Sequence, residues 1–79
     1  MMDNIVRGIL ADHGRLTTDV ASLKSEDDLY NAGLTSLATV GLMLALEDKF
    51  DIEFPDSMLS RKTFSSIEAI SDAIEELQS

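Results

Sequence analysis

Apolar residues recur at helical spacing in three stretches of this chain. In the first, Ile5, Ile9 and Leu10 fall on one face and Val6 widens the stripe, predicting a helix over Asp3–His13. Asp3 is placed to cap it, and Gly14 follows as a C-terminal stop. Gly8 is an internal weak point, costing up to about 1 kcal/mol relative to alanine. In the second stretch Leu37, Val40 and Leu44 recur at i, i+3 and i+7, with Met43, Leu46 and Phe50 extending the face. A helix from Ser36 to about Phe50 follows, with Thr35 as N-cap and Glu47, Asp48 and Lys49 on its exposed side. In the third, "FSSIE" opens a helix in which Ser65 and Glu68 match a capping box. Ile67, Ile70, Ile74 and Leu77 form its apolar stripe, and Asp72, Glu75 and Glu76 its polar face.

Between these stretches the helical period is lost. Arg15 to Thr35 is a connection of about 20 residues, long for a compact domain and of the kind that often serves function. Leu16, Val20, Leu23, Leu29 and Leu34 suggest that it lies against the core. In "DIEFPD", Phe54 precedes a proline and is biased to extended backbone. Asp56 is then placed to cap one short turn, "SMLSR". The expected fold class is all-α: one domain over residues 1–79, with three main helices, one short helix and a long first loop.

Composition narrows the function. Fifteen acidic residues face six basic ones, for a net charge of −9. Nucleic acid and anionic membranes demand Lys and Arg, so both are disfavoured as partners. Basic protein patches are favoured, although an ordinary acidic surface has the same composition. Residues 1–34 hold six acids and three bases; residues 35–79 hold nine and three. The half beginning near Ser36 is the more negative. With 44% hydrophobic residues in regular spacing, disorder is disfavoured. No apolar run approaches the ~20 residues that span a bilayer, and the N-terminus lacks a basic signal-peptide region. A cytoplasmic, monomeric protein is expected.

Conventional catalysis finds little support. There is no cysteine, so no thiolate metal site or nucleophile, and His13 is the one histidine. Nothing in the spacing brings His13 to Ser36 as a hydrolase would require. The acidic stretch "EDDLYNAGLTSL" fails the EF-hand test in both registers. Begun at Asp27, it has Leu29 at position 3 and Ala32 at position 6. Begun at Asp28, it has Ala32 at position 5 and Thr39 at position 12. Neither metal nor catalytic residues are expected. Ser36 remains, at the first turn of a helix, where free N–H groups and the dipole favour an anion such as an esterified phosphate. By local physics alone the favoured reading is a plain first-turn residue beside a threonine cap.

The segment "NAGLTSLATVGLMLALEDKFDIEFPD" resembles the acyl carrier protein family, whose Gly-x-Asp-Ser-Leu motif opens the second helix. Gly33, Leu34, Thr35, Ser36 and Leu37 match it, and the likeness extends over residues 27–77. The resemblance implies that a phosphopantetheinyl transferase attaches 4′-phosphopantetheine from coenzyme A to Ser36. The arm then carries an acyl or aminoacyl thioester between a loading enzyme and later transferases. It implies no catalysis by the carrier itself. It also implies partner recognition around the second helix, by Thr35, Leu37, Met43, Glu47 and Asp48, although Leu37 and Met43 suit the core equally well. Two departures stand out. Thr35 replaces the family aspartate, and Gly41 stands where many fatty-acid carriers have an acid. Both point to a specialised carrier with its own loading enzyme. "DDLYNAGLTSL" is similar, more weakly, to carriers of aminoacyl groups in peptide synthesis and D-alanine transfer. The rival reading is a non-catalytic acidic helical adaptor in which Ser36 is only structural.

Overall fold

The computed structural model describes residues 2–14, 16 and 18–78; Met1, Ser79, Thr17 and Arg15, where the long connection was expected to start, lie outside the described residues. Three helices carry the fold: α1 (Met2–His13), α2 (Ser36–Phe50) and α3 (Ile67–Gln78). Two 3₁₀ turns, Val20–Ser22 and Asp56–Met58, punctuate the connections. The all-helical expectation holds among the described residues, with two short turns where one short helix was expected.

Helix α1 packs against both α2 and α3. Val6 and Leu10, one turn apart, are fully buried at its centre, whereas Ile5 sits at the edge and is 40% exposed. The expected stripe is therefore rotated toward Val6. Asp3 does not cap the helix, which already begins at Met2. Its carboxylate instead accepts the hydroxyls of Ser25 (2.8 Å) and Ser71 (3.0 Å), joining α1 to the loop and to α3. Gly14 closes the helix with its N–H on the Leu10 carbonyl at 2.7 Å. A Cβ there would stand 2.7 Å from that oxygen and from Leu10 Cδ1, so only glycine fits.

The long connection lies against the core as expected. Leu23, Leu29, Ala32 and Leu34 are buried in the same hydrophobic cluster as the helices. Arg7 of α1 holds its near end, donating from Nη1 to the carbonyls of Val20 (3.0 Å) and Leu23 (2.7 Å). At its far end the backbone joins the entry of α3: Leu29 N–H donates to the Ser65 carbonyl (2.8 Å) and Glu68 N–H to the Ser25 carbonyl (2.9 Å). These bonds and the buried leucines offset the entropy cost of ordering so long a connection.

The capping box at Ser65 is not formed. Ser66 is the cap, its Oγ accepting the Ala69 N–H at 3.0 Å, while the Ser65 hydroxyl donates to the Lys62 carbonyl. Both serines can serve as an N-cap, although only Ser65 has a glutamate three residues on, and the loop carbonyl of Ser25 takes the Glu68 N–H that a box would have given to the Ser65 hydroxyl. Ile67, Ile70 and Ile74 are fully buried and Leu77 partly so, as the stripe predicted. Asp56 does not cap the second 3₁₀ turn; Pro55 precedes that turn with no side-chain cap.

The largest correction concerns α2. Its buried residues are Ala38, Leu42 and Leu46, the i, i+4, i+8 row. Leu37, Val40 and Leu44, expected to face the core, are 85%, 51% and 56% exposed. Apolar residues surround this helix on every side, so a 3.6-residue period selects no unique face. The core accepts the row that begins with the small Ala38 and leaves the other in solvent.

Candidate functional site

The residues leading into α2 are set by one glycine and one threonine. Gly33 has φ of 113°, a backbone that other residues rarely adopt. Its N–H donates to the Tyr30 carbonyl (3.2 Å), and Leu34 N–H to the Leu29 carbonyl (3.0 Å), turning the chain into the helix. Thr35 is the N-cap, as expected: Oγ1 accepts the Ala38 N–H at 3.1 Å.

Ser36 follows as the first helical residue, exposed. The hydroxyls beside it are engaged, Thr35 with Ala38 and Thr39 with the Thr35 carbonyl at 2.7 Å. Among the described residues no hydrogen bond engages that of Ser36. The amides of the first turn point the same way, having no intrahelical carbonyl to meet. An exposed, untied hydroxyl at the positive end of a helix fits a covalently attached phosphodiester.

Beside Ser36 lies a groove of about 320 Å³ between α2 and the chain leading to α3. Val40 and Met43 form one wall, and Leu59 and Phe64 the other. Phe64 is held edge-on by Phe54, with ring centroids 5.4 Å apart. Tyr30 and Arg61 complete the groove, and the Arg61 guanidinium carbon lies 3.9 Å above the Tyr30 ring centre.

The residues expected to meet partners are divided. Leu37 projects into solvent next to Ser36, and Asp48 is exposed near the other end of α2. Met43 lines the groove and packs partly on the core. Glu47 is half-buried, and its carboxylate accepts the Phe54 N–H at 2.9 Å, holding the segment after α2 in place. Tyr30 and Arg61 had no sequence signal, because their meeting depends on how two irregular segments fold over each other. His13 ends α1, exposed. Among the described residues no group of His, Cys, Asp or Glu could hold a metal ion, and no helix is long and apolar enough to cross a membrane.

Three helices pack around one core and present a serine hydroxyl at the head of the second, the arrangement expected of a carrier domain. Comparison with known proteins agrees. A family model described as "Phosphopantetheine attachment site" matches residues 5–74. The chain is 53% identical over 73 residues to an aminoacyl carrier protein of Agrobacterium fabrum (strain C58 / ATCC 33970), covering 92% of this chain and 88% of the relative. It is 41% identical over 61 residues to a D-alanyl carrier protein of Streptococcus uberis (strain ATCC BAA-854 / 0140J), covering 76% of each. Among solved structures it superposes, at a TM-score of 0.92 and 51% identity, on a chain of the complex of an engineered Bradyrhizobium japonicum glycine:[carrier protein] ligase with carrier protein from Agrobacterium tumefaciens and ATP. That match covers 96% of this chain and 99% of the other. A holo acyl carrier protein of Nitrosomonas europaea superposes at a TM-score of 0.83 with 29% identity, covering 96% of this chain and 94% of its own. The chain belongs to the phosphopantetheine attachment site family. It is a carrier protein, and that membership implies a phosphopantetheine prosthetic group.

Proposed function

We propose that this protein carries aminoacyl groups as thioesters on a 4′-phosphopantetheine arm attached to Ser36. The observation that carries the reading is the untied Ser36 hydroxyl at the exposed first turn of α2. In the attachment, the Ser36 oxygen replaces the nucleotide on one phosphorus of coenzyme A, forming a phosphodiester and releasing adenosine 3′,5′-bisphosphate; the serine proton goes to a base of the transferase. The thiol of the bound arm supplies the thioester chemistry. Beyond that attachment the carrier catalyses no bond change: Gly33 and Thr35 present Ser36, and the helices hold it away from the core.

An aminoacyl cargo is favoured over a fatty acyl one by the relatives, one named an aminoacyl carrier and one a D-alanyl carrier, and by the likeness to a carrier seen with a glycine ligase. The loading partner is then an adenylate-forming ligase that docks on the first half of α2. Thr35 and Leu37 stand beside the attachment point there, with the exposed row continuing to Val40 and Leu44. Asp48 is placed for a basic contact at the far end, which aids approach more than affinity. Glu47 and Met43 support this surface from below.

The test is intact mass after incubation with coenzyme A and a broad-specificity phosphopantetheinyl transferase. The expected result is one added arm on the wild type and none on a folded Ser36→Ala variant. A wild type left unmodified by several such transferases would instead favour the acidic adaptor.

A further inference from the structure

Arg61 is one of six basic residues in a chain with fifteen acids. It is exposed, on the chain before α3, and its guanidinium carbon lies 3.9 Å over the Tyr30 ring. Among the described residues no carboxylate pairs with it and no acceptor takes its N–H groups. A guanidinium held on a ring has its charge in place before any anion arrives, and its donors remain for that anion. The ring beneath it is fixed by the turn that delivers Ser36. Tyr30 N–H donates to the Asp28 carboxylate at 3.0 Å, and the Tyr30 carbonyl accepts the N–H of Gly33, three residues before Ser36. Arg61 and Ser36 then line one groove, and Arg61 is the one charged residue in that lining.

We propose that Arg61, set on Tyr30, anchors the phosphodiester at the root of the arm, its N–H groups donating to the phosphate oxygens. The proposal rests on Ser36 as the attachment point. Attachment puts an anion one bond from the Ser36 oxygen. The chain carries a net charge of −9, so most of its surface repels that anion. The free amides of the first turn of α2 attract it, but they offer no lateral direction. An unpaired guanidinium in the same groove supplies one, through charge-assisted bonds to a planar fork of donors. The root of the arm then turns toward the chain before α3 instead of sweeping freely about the end of α2. Because Arg61 is exposed, the hold is weak, which suits an arm that must swing between enzymes.

The test uses protein carrying the arm, made from coenzyme A with a broad-specificity phosphopantetheinyl transferase and checked by intact mass. Two NMR signals are read: the Arg61 Nε–H before and after attachment, and the phosphorus of the phosphodiester in the folded protein and in urea. In the wild type, attachment should shift the Arg61 Nε–H and slow its exchange with water by about two- to fivefold, the range of an exposed ion pair. The phosphorus signal of the folded protein should be displaced from its position in urea. Arg61→Gln should remove most of that displacement, and Lys62→Gln, at the exposed neighbour, should leave it as in the wild type. Melting curves establish that both variants are folded, and the Nε–H comparison needs no variant. An Arg61 Nε–H untouched by attachment overturns the anchor. So does a phosphorus displacement that survives in Arg61→Gln or is lost equally in Lys62→Gln; in each case the carrier reading stands. A wild type that takes up no arm overturns the carrier reading and the anchor with it.

Discussion

The Ser71 hydroxyl donates to the Asp3 carboxylate at 3.0 Å across 68 positions of sequence. Ser71 is 5% exposed, a buried polar side chain on the inner face of α3, and Asp3 supplies its partner. The same carboxylate accepts from Ser25, so one acid near the start of the chain joins α1, the long loop and α3.

That junction predicts an acid-sensitive stability. The Ser25 hydroxyl, then that of Ser71, hold the Asp3 carboxyl below its ordinary value, against a cost of burial that exceeds the help from the charge of Arg7. The ionised form is thus favoured in the folded state. Its contribution is complete above the unfolded value of ~3.9 and is lost as pH falls through the lower folded value. Asp3→Ala should lose about 1–3 kcal/mol at neutral pH, since it strands the buried Ser71 hydroxyl. Asp3→Asn should cost less, and its deficit should narrow in urea melts taken below the unfolded value. A deficit constant across that range would place the Asp3 contribution outside its charge.

Thr35 makes a prediction about the entrance to α2. Thr35→Ala removes the acceptor of the Ala38 N–H and should cost about 1 kcal/mol. Thr35→Asp keeps an acceptor and adds a charge favoured at the helix N-terminus, for a gain of about 0.3–1 kcal/mol at low salt. Chemical denaturation at two salt concentrations reads both, and the aspartate's gain should shrink at the higher.

The two apolar rows of α2 separate cleanly by truncation. Leu42→Ala opens a cavity at a fully buried site and should cost about 2–5 kcal/mol. Leu44→Ala, at a site 56% exposed, should stay within about 0.5 kcal/mol of wild type. Equal losses would mean that the helix is rotated from the orientation described.

Asp51 offers a gain. It ends α2 in the left-handed region, φ 54° and ψ 51°, and places a negative charge at the C-terminal end of the helix dipole. Both features are unfavourable for an aspartate. Asp51→Gly and Asp51→Asn should each stabilise the protein, by up to about 1 kcal/mol, with a higher melting temperature and no change in arm attachment at Ser36.

The extent of each helix was legible because it depends on local chemistry. Thr35 caps α2 with its own hydroxyl, Gly33 turns the chain before it, and the Ile67–Ile70–Ile74 stripe has a single polar face opposite. Ser36 was legible for the same reason, since its place at a helix entrance and its family motif are both local. Where two local solutions were equal, the sequence could not choose. Ser65 and Ser66 both suit a cap, and the loop carbonyl that completes the entry of α3 decided between them. Leu37 and Leu42 both suit a core, and α2 carries apolar residues all round. Only packing against the rest of the molecule buried the row of Ala38, Leu42 and Leu46, leaving Leu37, Val40 and Leu44 exposed on the helix that Ser36 begins.

By itself, then, the sequence determined three helices, a long apolar-studded loop and a serine at the head of the second helix. Propensity, capping and turn chemistry act over a few residues, and the signals are complete within that range. Tertiary structure alone decided which face of α2 meets solvent, that Asp3 reaches Ser25 and Ser71, that Glu47 braces Phe54, and that Arg61 lies over Tyr30. Each of these depends on side chains distant in sequence competing for one space, and burial and hydrogen-bond satisfaction across the whole fold set the outcome.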